Sequence, residues 1–168
     1  MDGLIRVRNE RAAQTLLCAF LATVVMLFAG FTSAWLIRRT GSDWGRLELP
    51  PLVYANTLVL LVSSATLELA RRARGGTWLR TTLALGLVFL VGQVLVWRAL
   101  SGGGAFVTAT PQGAFLFLLS AVHGLHLVGG LGALLWLVHR ARAPRLVAVY
   151  WHFLGVTWLY VLLLFHLR

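Results

Sequence analysis

The chain of 168 residues contains no lysine, one cysteine, four prolines and only five acidic residues. The lone Cys18 excludes an intramolecular disulfide and a thiolate cluster, and in its apolar run it is interpreted as a small hydrophobic residue. No Asp, Glu, Lys or Arg occurs from Ala99 to Val138, a run too long for one soluble helix. The prolines lie between the apolar runs, where they break no helix interior: Pro50, Pro51, Pro111 and Pro144.

Apolar residues fill most of what remains. The chain is 59% hydrophobic and 12% charged, and its mean hydropathy of +0.82 is typical of an integral membrane protein. Charges and prolines divide it into five predicted spans, each approaching or exceeding the ~20 residues that cross a bilayer core. The first is too long for a signal-peptide core, so we interpret it as a helix. The prediction is an all-α, polytopic transmembrane bundle forming one domain over residues 1–168, with helices at 12–37, 52–70, 79–98, 112–138 and 146–167.

The basic residues set the predicted orientation. The net charge is +10, and all 15 basic residues are arginines clustered at span ends. Because arginine is enriched on the cytoplasmic side of membrane proteins, the uneven distribution predicts a cytoplasmic N-terminus and an external C-terminus. No continuous basic face is available for nucleic acid. The cytoplasmic group comprises Arg6, Arg8, Arg11, Arg71, Arg72, Arg74, Arg80, Arg140, Arg142 and Arg145, and the external group comprises Arg38, Arg39, Arg46, Arg98 and Arg168.

Few polar side chains inside the spans could carry chemistry, and serine-type catalysis would need a base and an orienting acid that are not found nearby. Glu68 is the only carboxylate inside a span, and Arg71 and Arg72 follow it at i+3 and i+4. This spacing predicts an interfacial ion pair. A proton-relay or inter-subunit role for Glu68 is the alternative.

His123 and His126 share one helix face, since residues three apart on a helix are neighbours. A transmembrane b-type haem would need two histidines from different helices at matched depth. His126 lies roughly 15–18 Å from the cytoplasmic end of its helix and His152 only about 8–9 Å from the start of its own. A di-iron site would need carboxylates that the spans lack. We therefore expect His123, His126 and His152 to form a buried, hydrogen-bonded polar seam, within the chain or against a partner.

Tryptophan has a preferred depth in membranes. Trp151 lies near a predicted span end, where its ring is expected at the interface between lipid and water.

Four segments, in this order, form a recognisable pattern: Phe28–Ala34; Asn56–Leu61 with Ser63 and Ser64; His123-Gly124-Leu125-His126 with the glycines after it; and Tyr150-Trp151-His152-Phe153 with Trp158-Leu159. The stretch Phe89–Gln93 fits more loosely. Over residues 12–167 the order and spacing resemble the cytochrome c oxidase subunit III family of haem–copper terminal oxidases, in its short, five-helix bacterial form.

This resemblance implies an accessory, non-redox subunit of a bacterial respiratory oxidase that reduces O2 to water and pumps protons. Such a subunit supports the stability, lipid binding and sustained proton uptake of the catalytic subunit I, in the bacterial plasma (inner) membrane. Haem and copper would lie in partner subunits, and phospholipid would be bound. Subunit I would be the direct partner, with subunit II, and subunit IV or a respiratory supercomplex, as further partners.

The resemblance implies no catalytic, cofactor-binding or metal-binding residue in this chain, so it would be part of an enzyme only within a complex. Its family-motif or polar-seam residues would be Asn56, Glu68, Gln93, His123, Gly124, His126, Trp151 and His152.

The chain also departs from the family pattern. The two additional N-terminal helices of longer members are missing, and Val24 and Gly155 stand where many members carry a carboxylate. A proton-antenna role cannot be carried over to those two positions. The equivalent subunit of a quinol oxidase or of a nitric oxide reductase is one alternative. A stand-alone b-haem membrane anchor, which needs two histidines at matched depth, is a more remote one.

Overall fold

The computed structural model describes residues 2–44, 49–73, 76–101, 110–140 and 145–166. Within these ranges the chain is helical and contains no strand. All five helices are long and apolar enough to cross a membrane, which confirms the predicted all-α, five-helix transmembrane class. Pro144, Arg46, Arg74, Arg142 and Arg168 lie outside the described residues. The helices are α1 (Asp2–Arg38), α2 (Leu52–Ala73), α3 (Gly76–Ser101), α4 (Pro111–Arg140) and α5 (Arg145–His166).

The helix bounds differ from the predicted spans mainly at polar ends. Helix α1 begins at Asp2, ten residues before the predicted span, because charged residues such as Arg8 and Arg11 continue the helix beyond its apolar part. Helix α4 begins at Pro111, and the Thr110 hydroxyl accepts a hydrogen bond from the Gly113 amide at 3.2 Å. A side-chain cap followed by proline suits a helix start, since proline has no amide hydrogen to satisfy there.

The chain divides into two compact units, residues 1–37 and residues 38–168. The first unit is one long helix in which hydroxyls bond back to the backbone: Thr15 donates to the Arg11 carbonyl and Thr32 to the Phe28 carbonyl. These bonds satisfy hydroxyls that would otherwise be costly in lipid.

In the second unit, helix α2 packs against α3 and α5, and α4 packs against the same two helices. The four-helix unit α2–α5 therefore encloses an apolar core, which includes Leu60, Leu67, Phe89, Leu127, Leu134, Trp151 and Trp158.

Small polar side chains join α2 to α3. The Ser63 hydroxyl donates to the Thr82 carbonyl at 3.3 Å, and the hydroxyls of Thr66 and Thr82 lie 2.9 Å apart. All three residues are buried. Short side chains allow the two backbones to approach, and their hydroxyls then bond across the contact.

Contacts beyond the apolar segments also help to order the unit. The Tyr54 hydroxyl lies 2.9 Å from His166 Nε2, which places the start of α2 beside the end of α5.

Arg38 forms a bidentate ion pair with Asp43, in which Nη1 donates to Oδ1 at 2.7 Å and Nη2 donates to Oδ2. These hydrogen bonds from Arg38 hold the pKa of the Asp43 carboxyl below its usual range.

Candidate functional site

A layer of buried polar and aromatic side chains crosses the middle of the four-helix unit, and every helix of the unit contributes to it. Each member is at most 8% exposed. Buried polar groups in membrane helices are uncommon, because lipid offers them no hydrogen bonds. A cluster of them is therefore the candidate functional site of the chain. We call it the mid-bundle layer, and it consists of Asn56, Thr57, Phe89, Gln93, His123 and Trp158.

His123 lies at the centre of the mid-bundle layer and is enclosed by two aromatic rings. Its ring centroid is 5.1 Å from that of Trp158, with a 33° angle between the planes. Phe89 meets His123 edge-on at 6.0 Å and meets Trp158 edge-on at 5.3 Å. These separations lie within the usual range for attractive ring pairs. His123 thus functions as one ring of an aromatic cluster that joins α3, α4 and α5.

Hydrogen bonds tie this cluster to α2. Trp158 Nε1 donates to the Thr57 hydroxyl at 3.0 Å, and that hydroxyl donates to the Val53 carbonyl at 2.8 Å. Asn56 Nδ2 donates to the Phe89 carbonyl at 3.1 Å. The bonds from Trp158 and Asn56 each require one particular alignment of two helices, so together they fix the register of α2 against α3 and α5.

Some polar atoms of the layer remain unpaired. Both ring nitrogens of His123 and the side-chain oxygen of Gln93 are buried and have no hydrogen-bond partner among the described residues. An unsatisfied buried polar group costs about 1–3 kcal/mol.

The other two predicted seam histidines lie elsewhere on their helices. His126 is half-buried, with Nδ1 2.7 Å from the Val122 carbonyl, and its own carbonyl accepts a hydrogen bond from the Tyr150 hydroxyl at 2.8 Å. His152 is half-buried, and its side chain makes no hydrogen bond with the other described residues. Since the nitrogens of His123 are unpaired, His123 bonds to neither of the other two.

Glu68 lies near the end of α2 and pairs as its spacing predicts. Its Oε1 accepts from Arg71 Nη2 at 2.9 Å and from Arg72 Nε at 3.0 Å. The expected ion pair is therefore confirmed. Both arginines are exposed, so this is a surface pair at the helix end.

Trp151 is fully buried, whereas its place near a span end predicted an interfacial ring. Two glycines make room for it. A β-carbon on Gly86 would lie 2.8 Å from the Trp151 ring, and one on Gly130 would lie 3.3 Å from it. The family-motif Gly124 has space instead, since a β-carbon there would first meet Leu90 at 4.0 Å. Helix contact thus overrides the interfacial preference of this tryptophan.

The sequence prediction missed three members of the mid-bundle layer as site residues: Thr57, Phe89 and Trp158. One signal pointed to Trp158, which lies in the interior of a span, where a tryptophan is no interfacial anchor.

The geometry also bears on metal binding. No three His, Cys, Asp or Glu side chains within the described ranges group as metal ligands would. Phe89 and Trp158 flank the His123 ring.

Relatives identify the family. A "Probable cytochrome c oxidase subunit 3" of Mycobacterium tuberculosis is 31% identical over 166 residues, covering 83% of this chain and 80% of the relative. A "Cytochrome c oxidase subunit 3" of Synechocystis is 27% identical over 174 residues, covering 88% and 72%. A "Probable quinol oxidase subunit 3" of Staphylococcus haemolyticus is 27% identical over 164 residues, covering 84% and 82%. No protein-family model matches the chain. Identity of this extent, over five helices that can span a membrane, shows that the chain belongs to the cytochrome c oxidase subunit 3 family, as a multi-pass subunit III of a haem–copper oxidase.

Proposed function

We propose that this chain is the accessory, non-redox subunit III of a bacterial respiratory oxidase of the cytochrome c type. It lies in the inner membrane against subunit I, with its N-terminus in the cytoplasm. Subunit II, and subunit IV or a larger respiratory assembly, are further partners. The observation that carries the proposal is the 31% identity to a protein named cytochrome c oxidase subunit 3 over four-fifths of both chains.

The role proposed for the chain is to support subunit I, with haem and copper held by its partners. The contacts made by its buried polar residues support this separation between a supporting chain and redox-active partners. In the mid-bundle layer, Asn56, Thr57 and Trp158 hold helices together, and His123 is enclosed by rings. Each of these side chains is thus used in contacts between helices.

Exposed apolar faces support binding of phospholipid and of partner subunits. Met26 of α1 is 75% exposed, Leu125 of α4 is 72% exposed and Val156 of α5 is 65% exposed. Surfaces of this kind are stable only against acyl chains or against apolar protein.

The equivalent subunit of a quinol oxidase is a second candidate, favoured by the similar Staphylococcus haemolyticus relative with that name. The two candidates differ in the electron donor, which subunit III does not contact. Oxygen uptake by the purified complex, measured with reduced cytochrome c and with a quinol in turn, separates them.

The test of the proposal is a reduced-minus-oxidised visible spectrum of the tagged chain, purified in mild detergent, before and after its partners are stripped. We expect haem absorbance only while a larger polypeptide co-purifies. Haem that stays with the isolated chain would overturn the accessory role and make its histidines ligands.

A further inference from the structure

Two contacts between α3 and α4 lie on either side of Gln93. Trp97 Nε1 donates to the Ser120 hydroxyl at 3.0 Å, and Phe89, two turns from Trp97 on α3, meets the His123 ring. Gln93 lies one turn from Phe89, which is also buried, and one turn from Trp97, which is half-buried. Since α3 and α4 are consecutive and cross the bundle in opposite directions, Gln93 falls opposite the turn of α4 between Ser120 and His123.

Both side chains at this level need partners. Gln93 is 4% exposed and His123 is 1% exposed, and Gln93 Oε1 and both His123 nitrogens are unpaired among the described residues. The amide oxygen accepts hydrogen bonds, while a neutral imidazole has one nitrogen that donates and one that accepts. A partner shared by the two side chains must therefore donate to Gln93 Oε1 and either donate to or accept from a His123 nitrogen.

Neighbouring groups already have hydrogen bonds of their own. The Ser120 hydroxyl donates to the Phe117 carbonyl and accepts from Trp97. Asn56 Nδ2 is bound to the Phe89 carbonyl. Burial of His123 also prevents a partner subunit or a lipid headgroup from reaching it.

We propose that an ordered water molecule binds inside the mid-bundle layer and bridges His123 and Gln93. Water is small, donates and accepts, and is the usual partner of buried polar groups that the protein leaves unpaired. One hydrogen of the water bonds to Gln93 Oε1, and its oxygen or second hydrogen bonds to a His123 nitrogen. The site joins α3 to α4 beside the rings of Phe89 and Trp158. It goes beyond the proposed function and does not depend on it.

The first test is an electron-microscopy map of the complex purified through this chain, at a resolution that shows ordered waters. We expect a density peak at roughly 2.7–3.2 Å from both Gln93 Oε1 and one His123 nitrogen. The proposal is overturned if no peak lies there, or if Gln93 and His123 bond to each other directly.

The second test is a double-variant cycle with His123→Phe, Gln93→Met and the two combined. Each substitution keeps approximate size and removes one side of the water site. If one water links the two residues, the double variant lowers the thermal midpoint of the complex by clearly less than the sum of the single shifts.

Gln112→Met is the matched control. Gln112 is a buried glutamine of α4 whose Oε1 is also unpaired among the described residues. It lies eleven residues from His123, about 16 Å along the helix, so its shift should add to that of His123→Phe. If Gln93→Met adds to His123→Phe in the same way, the shared water is refuted. The map of the unmodified complex decides the matter if the variants do not assemble.

Discussion

Two tryptophans of α5, seven residues apart, are held in the bundle by different means. Trp158 donates its indole hydrogen to Thr57 of α2 and packs against the rings of Phe89 and His123. Trp151 is equally buried, but its Nε1 has no hydrogen-bond partner among the described residues, and it fits against Gly86 and Gly130. A directional hydrogen bond holds Trp158, whereas close packing against two glycines holds Trp151. Close packing therefore stabilises this helix even where hydrogen bonding is incomplete.

The largest effect expected from this comparison is that of Trp151→Ala. It removes a ring whose surroundings are shaped for it and leaves a cavity, which costs about 3–5 kcal/mol. Trp136→Ala is the control, because Trp136 is 49% exposed on α4. The measurement is the thermal midpoint of the detergent-solubilised complex. Equal decreases of the thermal midpoint in the two variants would show that the close packing around Trp151 does not stabilise the complex.

Gly86→Ala tests the same fit from the opposite side. The added β-carbon would lie 2.7 Å from Leu131 and 2.8 Å from Trp151, and overpacking of this kind costs about 1–3 kcal/mol. Gly132→Ala is the matched control, since a β-carbon there meets nothing within 4 Å. It should be neutral or stabilising by up to about 1 kcal/mol through helix propensity. A Gly86→Ala complex as heat-resistant as the Gly132→Ala complex would contradict the prediction.

Trp158→Phe tests the hydrogen-bonded half of the comparison. A ring remains against His123, but the indole donor to Thr57 and part of a fully buried ring are lost. The hydrogen bond contributes about 0.5–1.5 kcal/mol of the expected cost, and the small cavity adds to it. Thr57 keeps its bond to the Val53 carbonyl. Trp78→Phe, at a residue 41% exposed, serves as control. If unfolding of the complex starts at the same temperature in both variants, the indole hydrogen bond contributes nothing measurable.

The smallest effect is expected outside the core, for Glu68→Gln. Its two arginine partners are exposed to solvent, and surface ion pairs contribute little. Both the midpoint and the proton uptake of the complex should match those of the wild type. Slower proton uptake with unchanged stability would instead support the proton-relay role that the sequence left open for Glu68.

The sequence was sufficient for the parts of the fold that depend on local chemistry. Runs of apolar residues between arginines and prolines predicted all five helices, and the spacing of Glu68, Arg71 and Arg72 predicted their ion pairs. In both cases the interacting residues belong to one helix, so a period of 3.6 residues settles the geometry.

Contacts between helices could not be predicted from the sequence. Nearly every helix face is apolar, so hydrophobic periodicity does not show which face meets a neighbouring helix. Gly124 and Gly130 look alike in one glycine-rich segment, yet only Gly130 supports a close approach by α5. Likewise, Gly92 matters because a β-carbon there would collide with the Asn56 side chain of α2. Which glycine is needed depends on which residue the neighbouring helix presents.

The burial of both α5 tryptophans also has a consequence for biosynthesis. Helices are synthesised in chain order, so α2, α3 and α4 enter the bilayer before α5, which completes their core, has been made. Until then the inner surfaces of Phe89, His123 and Gly86 must be shielded by lipid, the insertion machinery or another subunit. A nascent chain stopped before residue 145 would therefore lack the two tryptophans that complete the core of the bundle.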